Sequence, residues 1–485
     1  MQINIKSTIF SFAALLLLAS CEGGYQKADV YANAQVQIYP DYTGVTLPVN
    51  IAPANFRINQ EGDAYQVVMT AGGKEYYREA STDNEVIIPE DSWHKMLADN
   101  KNGKIQIAVG VKRDGKWTEY KPITNYVSGD TIDRYLVYRL LYPGYELWNE
   151  MGIYQRNLTN YDETPILENR DFGKQCINCH TFRQNSTRDF MLHVRGKNGG
   201  TLISHDGKVK KVAPKCPTVK MGATYAGWHP SGQFIAFSMN EIQQFFHSSG
   251  QKPIEVSDLA ADLGVYDIAN DVIITSPELS GDNAMETFPA WTPDGKTLYF
   301  CRGNAYTKNM SFDSLRYDLW RVSFDAKARA FGKPECVYEA SATKHTVSLP
   351  RVSPDGRYVV FVEFDYGNFS IWHKEADLAI LDTKTGKVRR IEEINSKDVD
   401  SFHTWSSTGR WMVFSSKRMD GGWARPYFAH FNTTTGRFDK PFVLPQKSPL
   451  FYETFMKTYN LPELITSPIK NEGLLKLIQS GLKAQ

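Results

Sequence analysis

From residue 225 to residue 415, one alternation of apolar and polar positions returns four times. Each copy is a short apolar run, a polar turn, and a second apolar run. The turns read Trp228-His229-Pro230-Ser231-Gly232, Trp291-Thr292-Pro293-Asp294-Gly295, Val352-Ser353-Pro354-Asp355-Gly356 and Trp405-Ser406-Ser407-Thr408-Gly409. Strand, tight turn and strand make a hairpin. A second strand pair follows at a distance, as in residues 379–391, where Thr383-Lys384-Thr385-Gly386 separates two apolar runs. Two hairpins make a four-stranded blade, and a spacing of 53 to 63 residues between copies is a propeller period lengthened by loops.

Four copies are too few for a ring, so the pattern predicts further blades upstream. Residues 190–195, 200–204 and 209–212, with a turn at His205-Asp206-Gly207-Lys208, read as the strands of one. In that blade residues 176–180 stand where the repeat phrase is expected. Residues 152–158 read as the outer hairpin of another, which brings the predicted count to six. The phrase W-[ST]-P-D-G-[KR] resembles the WD40-like units of TolB-type β-propellers over most of residues 225–445. That resemblance implies the fold and leaves function open, because propellers host binding, scaffolding and catalysis alike.

The first hundred residues after the leader are patterned differently. Alternating runs at 36–39, 65–69, 85–88 and 104–109, separated by Gly, Asn and Pro turns, predict an immunoglobulin-like β-sandwich. One helix is expected over residues 93–98, capped by Asp91 or Ser92, and another over 473–482. The expected class is therefore all-β: a leader (1–20), a sandwich (21–127), a connector with the first propeller strands (128–170), a propeller (171–447) and a tail with a short helix (448–485).

At the N-terminus Lys6 precedes an apolar stretch, residues 9–18, that ends in Leu18-Ala19-Ser20-Cys21. This is a signal peptide too short to stay as a spanning helix. Its end resembles a bacterial lipobox, which implies lipid attachment at Cys21 and an exported, membrane-anchored protein facing the periplasm or the cell surface. Removing Lys6 with the leader leaves 54 basic and 54 acidic residues, so charge balance points to no nucleic-acid partner.

Six cysteines are too few and too unevenly placed for a disulfide framework. Cys301 and Cys336 sit in strand-like runs and read as buried, inert thiols. Cys176-Ile177-Asn178-Cys179-His180 is the exception, since C-x-x-C-H is the pattern for covalent attachment of haem c. Two thiols three residues apart can reach two vinyl groups on one porphyrin edge, with the adjacent imidazole as proximal iron ligand. A Cys176–Cys179 disulfide, or zinc held by Cys176, Cys179, His180 and His193, are the alternatives. For the distal position Met191 and His193 share one face of the next predicted strand, and Arg195 on that face could meet a propionate. Met221, His229, His345 and His403 are weaker candidates near strand starts.

The chain resembles a group of Gram-negative lipoproteins that combine a TolB-type propeller with N-C-H-[ST]-F and Met-Leu-His-x-Arg-Gly. Here these are Asn178-Cys179-His180-Thr181-Phe182 and Met191-Leu192-His193-Val194-Arg195-Gly196. No G-x-S-x-G and no H-E-x-x-H argues for a hydrolase. The expected function is electron transfer through one haem c to a redox partner. The alternatives are a non-enzymatic scaffold with a structural cysteine pair, whose propeller face binds protein or glycan, and a metal-dependent enzyme using the Cys/His cluster.

Overall fold

The computed structural model describes residues 25–143, 149–197, 199–214, 222–247 and 252–480, and within them the chain is nearly all β. Cys21, Cys216 and Met221 lie outside the described residues.

The N-terminal unit contains a seven-stranded sheet that pairs Ala64–Ala71, Lys104–Arg113 and Lys116–Lys121 among others, and a three-stranded sheet of Ile38–Tyr39, Phe56–Ile58 and Glu85–Val86. Both contribute to one apolar core. The helix runs from Glu90 to Asp99 with Pro89 as its cap residue, so neither Asp91 nor Ser92 caps it. Pro suits the start of a helix, where the amide it lacks would have no intrahelical acceptor. Trp93 anchors that helix, buried and donating its indole N–H to the Ile51 carbonyl at 3.0 Å.

Six antiparallel sheets of four or five strands follow, each including or close to one predicted hairpin. Their first strands are Thr458–Ile465, Ile177–Arg183, Ala223–Trp228, Ala284–Trp291, Thr346–Val352 and Asp400–Trp405. Each lies against the next, and the last lies against the first, so the contacts close on themselves in a propeller-like arrangement. Second strands are covered on both faces by neighbouring sheets, which explains continuous apolar runs such as residues 358–362 of strand Tyr358–Phe364, a strand buried at every residue.

The repeat phrase has a visible task. Asp294 accepts hydrogen bonds from the Thr292 hydroxyl (2.6 Å) and the Lys296 amide (3.0 Å), and Asp355 does the same for Ser353 and Arg357. Gly295 has a φ of +71°, and a Cβ there would stand 2.3 Å from His229 Nε2. The Trp291 indole donates to the Gly227 carbonyl (3.1 Å), and Trp405 donates to Arg351 (3.2 Å), so each tryptophan ties its sheet to the one before.

The tail contains more than the helix, which runs over Leu474–Gln479. Its strand Thr458–Ile465 pairs antiparallel with Tyr135–Leu141 and completes the sheet that the connector begins. The two units also touch directly. Arg57 meets Glu453 at 2.9 Å, Thr46 bonds Asp439 at 2.8 Å, and His430 sits between Asp439 (3.0 Å) and Asp130 (3.2 Å).

Candidate functional site: the axial channel

Aligning the six first strands on Phe182, Trp228, Trp291, Val352, Trp405 and Leu464 places equivalent residues at equal depth along the axis. Three residues before those positions stand Cys179, Tyr225, Phe288, Leu349, Phe402 and Leu461, and all six line one small cavity of about 70 Å³. The pairing slips at this level in every sheet, as between Ile177 and His180 or between Thr287 and Ala290. A bulge of this kind bends a strand and re-aims a side chain. Phe288, Leu349, Phe402 and Leu461 have φ of +54°, +54°, +36° and +50°, conformations that non-glycine residues adopt only when their surroundings impose them. Their shared task is to narrow the axis.

The neck opens on both sides. On one side it shares Ala226, Pro289 and Arg351 with a vestibule of about 430 Å³. Here the repeat position held by Thr181, Gly227, Ala290 and Thr404 is taken by Arg351 and Glu463. Burial lifts the Glu463 carboxyl to about 8, with Arg351 pulling the other way, and burial also lowers the Arg351 guanidinium. On the other side the neck shares Arg139, Asn178, Tyr225, Phe369 and Asn460 with a cavity of about 130 Å³ that includes Cys176, Arg195 and Lys417 in its wall. Arg139 comes from the strand beside the closing one. It donates to the Ile177 carbonyl (3.0 Å), Asn178 Oδ1 (3.1 Å) and Asn460 Oδ1 (2.9 Å), and its Nε is buried without a partner.

The residues singled out in the sequence separate on this frame. His180 is buried beside the neck, and among the described residues neither ring nitrogen makes a hydrogen bond of good geometry. Burial, helped by Arg139, pushes its pKa down to about 3, against the smaller opposing pull of the Leu461 backbone, so the ring is neutral at ordinary pH. Cys179 packs with Met191, Ile203 and Trp228, whereas Cys176 packs against the cluster of Ile177, Phe182 and Leu192 on the opposite side of the sheet. Both thiols are free, and burial raises the pKa of each.

Met191, His193 and Arg195 do share a strand face, with Leu192 and Val194 on the other. Met191 is fully buried in the inter-sheet core, and His193 Nδ1 hydrogen-bonds the Thr201 hydroxyl at 3.1 Å. His229 donates to the Gly295 carbonyl and His403 to the Val360 carbonyl, each at 2.9 Å. His345 shares a hydrogen bond with Thr343. Cys336, expected to be buried, is exposed on strand Glu335–Tyr338, while Cys301 is buried as expected.

These placements test the groups the sequence suggests. Covalent haem needs both thiols at one porphyrin edge and a pocket of several hundred Å³, on the order of 300 or more. Here the thiols face different packing clusters and the space beside His180 is about 70 Å³, so the trio as folded does not fit haem c. Among the described residues no group of three or more His, Cys, Asp and Glu side chains could hold a metal ion.

Arg139, Lys417, Arg351 and Glu463 were not among the sequence candidates. A residue-by-residue alignment of the repeats would have marked the last two, because they put charge where the other copies are neutral.

No family model matches the chain, and no curated protein matches it. Among solved structures it is similar to an oligogalacturonate lyase from Vibrio parahaemolyticus, at 14% identity over 60% of this chain and 70% of that one, with a TM-score of 0.36. It is also similar to the β-propeller domain of Cps50 (Swd1) from Myceliophteria thermophila (12% identity, 65% of this chain, 90% of that chain, TM-score 0.31). A third is prolyl oligopeptidase B from Galerina marginata (11% identity, 82% and 62%, TM-score 0.35). The propeller-like, nearly all-β fold of this chain is read from its own six sheets, whose first strands touch in a cycle.

Proposed function

We propose that this chain is an exported, lipid-tethered binding protein, in which an immunoglobulin-like module carries a six-bladed propeller and a ligand enters the axial channel. Six sheets whose first strands touch in a cycle support the blade count, and two N-terminal sheets sharing a core support the module. One observation carries the binding reading: His180, beside the neck, is buried with no hydrogen bond of good geometry at either ring nitrogen among the described residues and only a weak polar contact to the Leu461 backbone. An unmet buried donor or acceptor costs about 1–3 kcal/mol. A ligand reaching the neck would meet it.

Electron transfer through haem c is the second reading, favoured by the Cys176, Cys179 and His180 order behind an export signal. One experiment separates the two. The chain is expressed in a host with cytochrome c maturation, and its intact mass and pyridine haemochrome spectrum are recorded. The binding reading expects no haem increment and free thiols at Cys176 and Cys179. An increment of one haem that disappears in the Cys176→Ala/Cys179→Ala double variant would install electron transfer instead, and stoichiometric zinc would install a metal site.

A further inference from the structure

Arg139, Arg195 and Lys417 line one cavity of about 130 Å³, and no carboxylate comes within salt-bridge distance of any of them among the described residues. Arg139 is met only by neutral oxygens, from Ile177, Asn178 and Asn460. Lys417 is 6% exposed, and its Nζ lies 3.9 Å from the centre of the Trp372 ring. Two cations elsewhere meet a carboxylate directly. Arg418, the very next residue, meets Asp400 at 2.6 Å, and Arg183 meets Asp189 at 2.5 Å. Asp398 and Asp420 offset the burial of Lys417 only in part and from beyond salt-bridge distance, and with Arg139 and Arg195 it gives one space three positive groups that an incoming anion would meet.

Resting on the binding reading above, we propose that this cavity is the site of a small organic anion: a carboxylate or phosphate head on a one-ring or short-chain apolar body. The head lies among Arg139, Arg195 and Lys417, beside Asn178 and Asn460, where charge-assisted hydrogen bonds to guanidinium are strongest. The body takes the outer space between Ile242, Val256, Ile371 and Trp372. Its size follows from this cavity and the adjoining neck, about 130 and 70 Å³, set against the roughly 150 Å³ that admits a benzene ring.

The mature full-length chain, first shown free of haem, is titrated calorimetrically with benzoate, phenyl phosphate, benzyl alcohol and benzylamine. At least one of the two anions binds at least 10-fold more tightly than the alcohol, and the amine does not bind; which anion is tighter identifies the head group. Lys417→Met and Arg195→Gln each weaken that anion 10-fold or more while the melting temperature holds. Arg139→Gln does the same if it folds, and the other two variants decide the matter if it does not. Saturable heat from neither anion, equal affinity for the alcohol, or unchanged affinity in Lys417→Met overturns the proposal. Each of those results leaves a binding propeller standing, whereas attached haem would remove the reading beneath it.

Discussion

Glu463 and Arg351 show how a single register position can carry function in a repeated fold. At that depth the other first strands place Thr181, Gly227, Ala290 and Thr404, which are small and uncharged. Burial holds the Glu463 carboxyl up to about 8, against an ordinary value of 4.5. A carboxyl raised in the folded state contributes stability that is full below about 4.5 and is lost as pH rises through about 8. Each pH unit in that window is worth at most about 1.4 kcal/mol. Melting curves from pH 5 to 8.5 are therefore expected to fall more steeply for the native chain than for Glu463→Gln. Parallel curves for the two proteins would mean that Glu463 is solvated and already ionised.

At the scale of elements, the strand Thr458–Ile465 decides whether the sheets form one body. It pairs with Tyr135–Leu141, more than three hundred residues earlier, and so joins the end of the ring to its start. Ending the chain after Lys457 strips Tyr135–Leu141 of one of its two partner strands, leaving Met151–Asn157, and exposes apolar side chains such as Val137 that pack in the same cluster as Ile465. The expected result is loss of a cooperative melting transition, followed by circular dichroism; a truncated chain that melts like the full-length one would show that closure lies elsewhere.

This strand also shows what the sequence made legible. The hairpins are readable because turn chemistry and apolar runs coincide in each copy, and the C-x-x-C-H run falls at strand Ile177–Arg183, the first of a four-stranded sheet. The closing strand was missed because Pro462 interrupts its apolar pattern. Yet Leu461-Pro462-Glu463-Leu464 repeats Leu349-Pro350-Arg351-Val352, with proline just after the bulge, where the ladder is already broken. The channel itself was not legible. Arg139 and Lys417 come from strands and loops far apart in sequence, and only closure brings them beside Asn178.

For the whole molecule, the proposed tether and the docking of the N-terminal unit together would set what faces the membrane. From Cys21 to the first strand at Val30 is nine residues, a reach of at most about 32 Å at 3.6 Å per residue. A lipid on Cys21, as proposed, would hold the N-terminal unit close to the lipid surface, and the sheets docked on it through Arg57–Glu453 and His430 would follow it. No helix among the described residues is long and apolar enough to cross a membrane. With acyl chains at Cys21 as the anchor, Cys21→Ala is expected to move the protein from the membrane pellet to the soluble fraction, while the native chain stays in the pellet through a high-salt wash. Salt would release a protein held by surface charge, and the balance of 54 basic and 54 acidic residues after the leader gives charge no role in holding it. A Cys21→Ala protein that remained in the pellet after the same wash would place the attachment on the folded units and remove the lipid tether from the proposal.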